Sequence, residues 1–302
     1  MRIIANNIKI EVEDFGSKNG IPLLLINGFG SQLINWPLEF IDKFLEKDIR
    51  VIIFDNRDVG LSHKFSGQEI SNMSDIWKYS FSSNTDSKIT KKPTVPYTIN
   101  DMAADAKGVL EALDIHSAHV LGTSMGGMIA QLFAYNYPVI CRSLTSMMST
   151  SNNPDLPRIS KKVREGLTGS PKNDDLSSIV NYKMETRKLW SSPKFPTPEE
   201  ELIENYTASY ERMFYPEGQT RQYAAIGHDG SRVERLKKII SPTLVLHGDS
   251  DNLVPVEGGI DTAKLIPNAR LEILEGWGHD LPPGVFDWVS SKICEHIFSS
   301  ES

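Results

Sequence analysis

The segment His119-Val120-Leu121-Gly122-Thr123-Ser124-Met125-Gly126-Gly127 passes from a short apolar run into a serine flanked by glycines. Met128, Ile129, Leu132 and Phe133 then repeat at helical spacing up to Pro138, so a helix is expected to start just after Ser124. A Gly-x-Ser-x-Gly sequence between a buried strand and a helix places the serine on a sharp, strained turn. Glycines two residues to either side remove Cβ atoms that would clash with the neighbouring strand and helix. The hydroxyl is then raised above a sheet, at a helix N-terminus whose dipole favours developing negative charge.

The surrounding chain supplies that sheet. Ile21 to Ile26, Arg50 to Phe54, Thr243 to Leu246 and Arg270 to Leu274 are short apolar-rich runs closed by turn residues. Such runs suit strands buried on both faces. Thr98-Ile99-Asn100-Asp101 reads as a capping box, followed by Met102, Ala106, Val109, Leu110 and Leu113 at helical spacing. Alternating strands and helices imply an α/β fold with a parallel sheet and helices on both faces. The rhythm stops after Met148 and resumes near residue 236. Charges and prolines fill the interval, with helices expected over Leu176 to Leu189 and Glu199 to Phe214. The expected organisation is a core domain of residues 1–149 and 236–302, with a helical cap inserted over 150–235.

A serine hydroxyl is a weak nucleophile at neutral pH; it needs a base, and the base needs an orienting acid. After such an elbow the acid and then the histidine follow in chain order. Asp251 lies in the loop after the Thr243 strand, and His279 in the loop after the Arg270 strand. Carboxyl ends of parallel strands share one edge of the sheet, where sites gather. Asp249 competes with Asp251 but follows Gly248 directly and suits the role of tying its own turn. The segment Ser149 to Asn153, an alternative source of the acid, contains no carboxylate. Of the other six histidines among the seven, His63 suits a surface loop, and His116 and His119 precede a strand at the wrong end of the sheet. No matching cluster of ligands makes that last pair a metal site. His228 falls in the returning cap segment, His247 is expected to be packed or hydrogen-bonded, and His296 is expected near an exposed C-terminus.

An oxyanion hole needs two backbone N–H groups. Met125, after the serine, is one candidate donor. Phe29 is the other, in a loop that Gly28 and Gly30 allow to approach closely. That loop lacks the third glycine of a dinucleotide fingerprint, and the Gly122 turn lacks the Gly-Lys-Ser/Thr of a phosphate loop. The expected substrate contacts are Gly28, Trp190, Tyr210 and Phe214; the aromatic group around Tyr210 reads equally as helix packing.

With 302 residues, 39% hydrophobic and 24% charged, the composition is that of an ordinary globular chain. A net charge of −7 argues against a nucleic-acid partner. Three short basic clusters, at Lys91-Lys92, Lys161 to Arg164 and Arg235 to Lys238, read as solvated faces or loops. Two cysteines, Cys141 and Cys294, sit in apolar segments without disulfide spacing. No signal peptide and no apolar stretch of the ~20 residues that span a bilayer is visible. A soluble, cytoplasmic monomer or homodimer is the expectation.

These motifs together resemble the α/β-hydrolase superfamily. The matching segments are Phe54 to Ser62, Leu121 to Gly127, His247 to Pro255 and Gly276 to Pro282. Within it the chain is most similar to the aclacinomycin-methylesterase-like esterases, through Val254-Pro255-Val256-Glu257-Gly258-Gly259 and Trp277-Gly278-His279-Asp280-Leu281-Pro282. The resemblance implies a mostly parallel eight-stranded sheet, a helical cap, and carboxylic-ester hydrolysis of a small or medium-sized molecule without a cofactor. It carries the nucleophile to Ser124, the acid to Asp251 and the base to His279. Asn27-Gly28 stands where many relatives have His-Gly, and Asn27 can hold the same loop by hydrogen bonding.

Overall fold

The computed structural model describes residues 1–81 and 93–301; the Lys91-Lys92 cluster lies outside them. The chain opens with an antiparallel pair, β1 (Arg2–Ala5) and β2 (Ile8–Phe15), turned by Asn6 and Asn7 at positive φ. Then follow β3 (Ile21–Ile26), α1 (Leu38–Leu45), β4 (Ile49–Phe54), α2 (Met73–Phe81), α3 (Ile99–Ala112) and β5 (Ala118–Thr123). Next come α4 (Met125–Asn136) and β6 (Cys141–Met147). Five helices precede the next strand: α5 (Lys161–Thr168), α6 (Leu176–Arg187), α7 (Glu199–Arg212), α8 (Pro216–Asp229) and α9 (Val233–Leu236). The chain closes with β7 (Thr243–Gly248), α10 (Val256–Leu265), β8 (Arg270–Leu274) and α11 (Phe286–Glu301).

The eight strands form one sheet in the order β1-β2-β4-β3-β5-β6-β7-β8. From β4 to β8 all neighbours run parallel. This is the mostly parallel eight-stranded sheet of the α/β-hydrolase fold. Alternation along each strand divides the core in two. Leu24, Ile26, Ile52 and Phe54 join α3 and α4 on one face. Leu23, Leu25, Val51 and Ile53 join α1 and α11 on the other. Each such side chain, fully buried, contributes roughly 1.5–3 kcal/mol.

The α3 start is the expected box: Thr98 accepts from the Asp101 amide, and Asp101 accepts from that of Thr98. Three strands, β1, β2 and β6, lie outside the runs read from the sequence. In β6 the polar Ser143 and Ser146 are nonetheless buried, and they meet His119 and Gln131. His296 is not exposed: α11 folds back across the sheet, and its imidazole is buried and bonds the Leu144 carbonyl.

The inserted helices are fastened to the core by charge. Arg212 of α7 donates to Asp55 at 2.8 Å and to the Gln32 side chain at 2.7 Å. Arg221 of α8 pairs with the buried Asp58 at 2.8 Å. Burial pushes the Asp55 carboxyl up, against the Leu33 amide, Arg212 and the Leu61 amide, which pull it down. Removing a partner from such a buried pair strands a charge. Arg212→Met should therefore lower stability by roughly 3–5 kcal/mol, measured by urea unfolding; a loss under ~1 kcal/mol, the level of surface pairs, would mean the tether contributes little.

Candidate active site

Ser124 sits between β5 and α4 at φ 54°, ψ −119°, a left-handed conformation costly for a non-glycine residue. The neighbours make the turn obligatory. A Cβ on Gly122 would lie 2.0 Å from the Gly126 carbonyl oxygen, and one on Gly126 2.0 Å from that of Ile26. The turn is pinned by the Ser124 amide donating to Met147 O at 2.9 Å. The Ser124 carbonyl accepts from the Gly127 amide and the Ser149 hydroxyl.

Asp251 and His279 follow β7 and β8, and both reach the same edge. The Nδ1 of His279 lies 2.6 Å from Asp251 Oδ2. The other carboxylate oxygen accepts the Leu253 and Val254 amides at 2.9 and 2.8 Å. His247 Nε2 lies 3.5 Å from Oδ2 and 2.8 Å from Val254 O. Burial alone would raise the Asp251 carboxyl. His279 and His247 outweigh it and hold it at about 2, so it is ionised at neutral pH. An ionised carboxylate can only accept, so the proton of this bond sits on Nδ1 of His279. Asp249 instead accepts the Gly276 amide at 2.7 Å, tying the two loops together.

Ser124 and His279 open onto one cavity of about 1060 Å³. No hydrogen bond closes between their side chains in this structure; contacts of this kind often tighten only in the substrate complex. Met125 and Phe29 line the same cavity, and neither amide donates to a protein acceptor among the described residues. The Phe29 loop is held by Asn27, whose side chain donates to Gln32 O at 2.9 Å, and by the Gly30 amide bonding Gln222 of α8. Gly28 abuts the elbow: a Cβ there would lie 3.2 Å from Ser124 Cβ.

Of the expected substrate contacts, Gly28 and Trp190 line the cavity. Tyr210 and Phe214 do not. The Tyr210 hydroxyl turns to Asp174 O at 2.8 Å, before α6, and its ring packs on Phe214 at 5.0 Å. The aromatic group there is helix packing. The apolar wall comes instead from Trp36, Met73, Trp77, Met147 and Tyr223. Met73 and Trp77 belong to α2, which packs against α8 and so joins the inserted helices over the site. Nothing local in the sequence says that this helix packs on α8 and reaches the cavity. His119 is buried at the far end of β5, against Ser143 and Glu301; His116 is exposed, and His228 packs against Tyr79.

Residues 21–282 match a family model described as the alpha/beta hydrolase fold. Among curated proteins, the chain is 27% identical to the rhodomycin D methylesterase DauP of Streptomyces sp. (strain C5), over 97% of this chain and 96% of that one. It is 25% identical to a 2-hydroxy-6-oxononadienedioate/2-hydroxy-6-oxononatrienedioate hydrolase of Pseudomonas sp., over 90% and 86%. Among solved structures, the meta-cleavage product hydrolase CumD of Pseudomonas fluorescens IP01 superposes with a TM-score of 0.75 at 20% identity, over 100% of this chain and 98% of that one. With a family model spanning most of its length, the chain belongs to the α/β-hydrolase family.

Proposed function

We propose that this protein is a carboxylic ester hydrolase working through an acyl-enzyme on Ser124. The 2.6 Å contact between Asp251 and His279, with His279 lining the same cavity as Ser124, carries this assignment. His279 Nε2 takes the Ser124 proton as Oγ bonds the substrate carbonyl carbon. The carbonyl oxygen becomes an oxyanion and is met by the Phe29 and Met125 amides. Such donors are worth about 3–4 kcal/mol each in the transition state. The imidazolium, stabilised by Asp251, protonates the departing alcohol. Water, deprotonated by the same nitrogen, then releases the acid and restores the serine.

The helices of residues 150–235 act as the cap over this cavity and, with α2, set the substrate. At about 1060 Å³ and with a mainly apolar wall, the cavity suits an ester with one bulky apolar part. The methylesterase relatives support the ester reading. The relatives named as hydrolases of 2-hydroxy-6-oxo dienedioates favour a second one, in which the same residues cleave a carbon–carbon bond beside a ketone. Comparing kcat/KM for a panel of esters of graded acyl length with that for a 2-hydroxy-6-oxo-dienoate separates the two.

Ser124→Ala should lower kcat for a p-nitrophenyl ester by about 10⁵–10⁶-fold and abolish labelling by a fluorophosphonate, with unfolding unchanged. Retained turnover would rule the mechanism out. Asp251→Asn should cost about 10⁴-fold in kcat. The carboxyl, depressed from 3.8 to about 2 in the folded state, contributes stability above pH 4 that is lost as pH falls through about 2. The stability gap between wild type and Asp251→Asn, by urea unfolding, should therefore narrow between about pH 6 and about pH 2.5; a constant gap would contradict an ionised Asp251.

A further inference from the structure

β8 is the edge strand, so the loop Gly276 to Pro282 that carries His279 has no strand beyond it to hold it. The inserted helices supply what the sheet lacks. The chain leaving α6, residues 187–194, runs across this loop and bonds it repeatedly. The His279 amide donates to Trp190 O at 2.6 Å, and the Lys194 amide to Gly276 O at 3.3 Å. The Gly278 amide donates to Ser192 Oγ at 2.9 Å. The Ser192 hydroxyl in turn donates to Asp280 Oδ1, which also accepts the Ser192 amide at 3.1 Å. Arg187 closes the set, donating to Asp280 Oδ2 at 2.6 Å with both side chains largely buried. The fit is tight: a Cβ on Gly278 would lie 2.4 Å from Trp190 O and 2.7 Å from the Ser192 amide nitrogen.

We propose that Asp280, gripped by Arg187 and Ser192, is a positioning residue that fixes the His279 imidazole through the backbone on either side of it. The inference rests on the assignment of His279 as the base. The amides of residues 278 and 279 are tied to Ser192 and Trp190, and the Asp280 carboxylate to Ser192 and Arg187, so the imidazole hangs from a segment held at three successive residues. Asp251 sets the ring's hydrogen bond; the clamp sets where the ring can stand relative to Ser124. Trp190 links the clamp to substrate choice, because its carbonyl holds His279 while the residue lines the cavity. None of these groups hands a proton to the reaction. Their effect is on orientation, where a shift of about 1 Å costs up to ~100-fold in rate.

The test compares Asp280→Asn, Arg187→Met and Ser192→Ala with wild type on a p-nitrophenyl ester, Arg187→Lys serving as the conservative variant. Two readouts separate positioning from simple structural loss: the division between kcat and KM, and the low-field proton NMR signal of His279 Nδ1–H. The clamp predicts that kcat falls about 10- to 100-fold in the three variants, with KM within about threefold. It also predicts a broadened Nδ1 proton and recovery of most of kcat in Arg187→Lys. Ser192→Ala, which leaves the Arg187–Asp280 pair in place, carries the test if Asp280→Asn or Arg187→Met fails to fold. A kcat within about twofold of wild type in Arg187→Met and Ser192→Ala, or a rise in KM at unchanged kcat, would overturn it. Ser124→Ala run beside them keeps the two assignments apart: if it is inactive while the clamp variants behave as wild type, only the clamp falls; if it turns over ester, the nucleophile assignment falls.

Discussion

Two backbones pass so closely at Ser124 that no side chain fits between them. Gly122 faces the carbonyl of Gly126, and Gly126 faces that of Ile26, each with room for a hydrogen and nothing larger. This crossing forces the turn from β5 into α4 and holds Ser124 at a positive φ that serine does not choose. The cost of that conformation is offset by the packing of β5 and α4 in the core. Ser124 and Met125 both line the cavity at this turn. Every other component of the site is placed relative to this turn.

What surrounds the turn is a set of loops with little regular structure, and each is held by something outside itself. The Phe29 loop is fixed by Asn27 and by Gln222 of α8. Gln32 and Asn35 extend the same loop to Ser209 of α7. The Asp251 loop is tied through Asp249 to Gly276. The His279 loop leans on residues 187–194. The inserted segment bonds the loops bearing two of the candidate groups, so changes made in it also reach Phe29 and His279. Buried pairs such as Arg221–Asp58 make that attachment specific; their net worth to stability is small compared with the cost of breaking one.

Much of this was legible in the sequence, for identifiable reasons. Parallel strands buried on both faces are apolar throughout, so β3 and β4 declared themselves. Ser124, Asp251 and His279 stood out because their chemistry demands a fixed chain order at strand ends. β6 was harder to see, since its serines are buried by pairing with His119 and Gln131 on other elements, and the four-residue β1 is fixed by its pairing with β2. His296 looked exposed because position near a terminus says nothing about a helix folding back onto the sheet. The cavity wall was the least legible part. Tyr210 and Phe214 satisfy each other on α7, whereas Trp77 and Met73 on α2 reach the cavity, and only the tertiary arrangement decides between them.

The central claim is that the Ser124 hydroxyl, the free nitrogen of His279 and the Phe29 and Met125 amides converge on one reacting carbonyl. A crystal structure of the protein inactivated with an alkyl fluorophosphonate tests it most directly. The account predicts phosphorus bonded to Ser124 Oγ, its oxygen about 3 Å from both amides, and His279 Nε2 within hydrogen-bonding reach of the adduct. An adduct on another residue, or a phosphonyl oxygen turned away from those two amides, would contradict it.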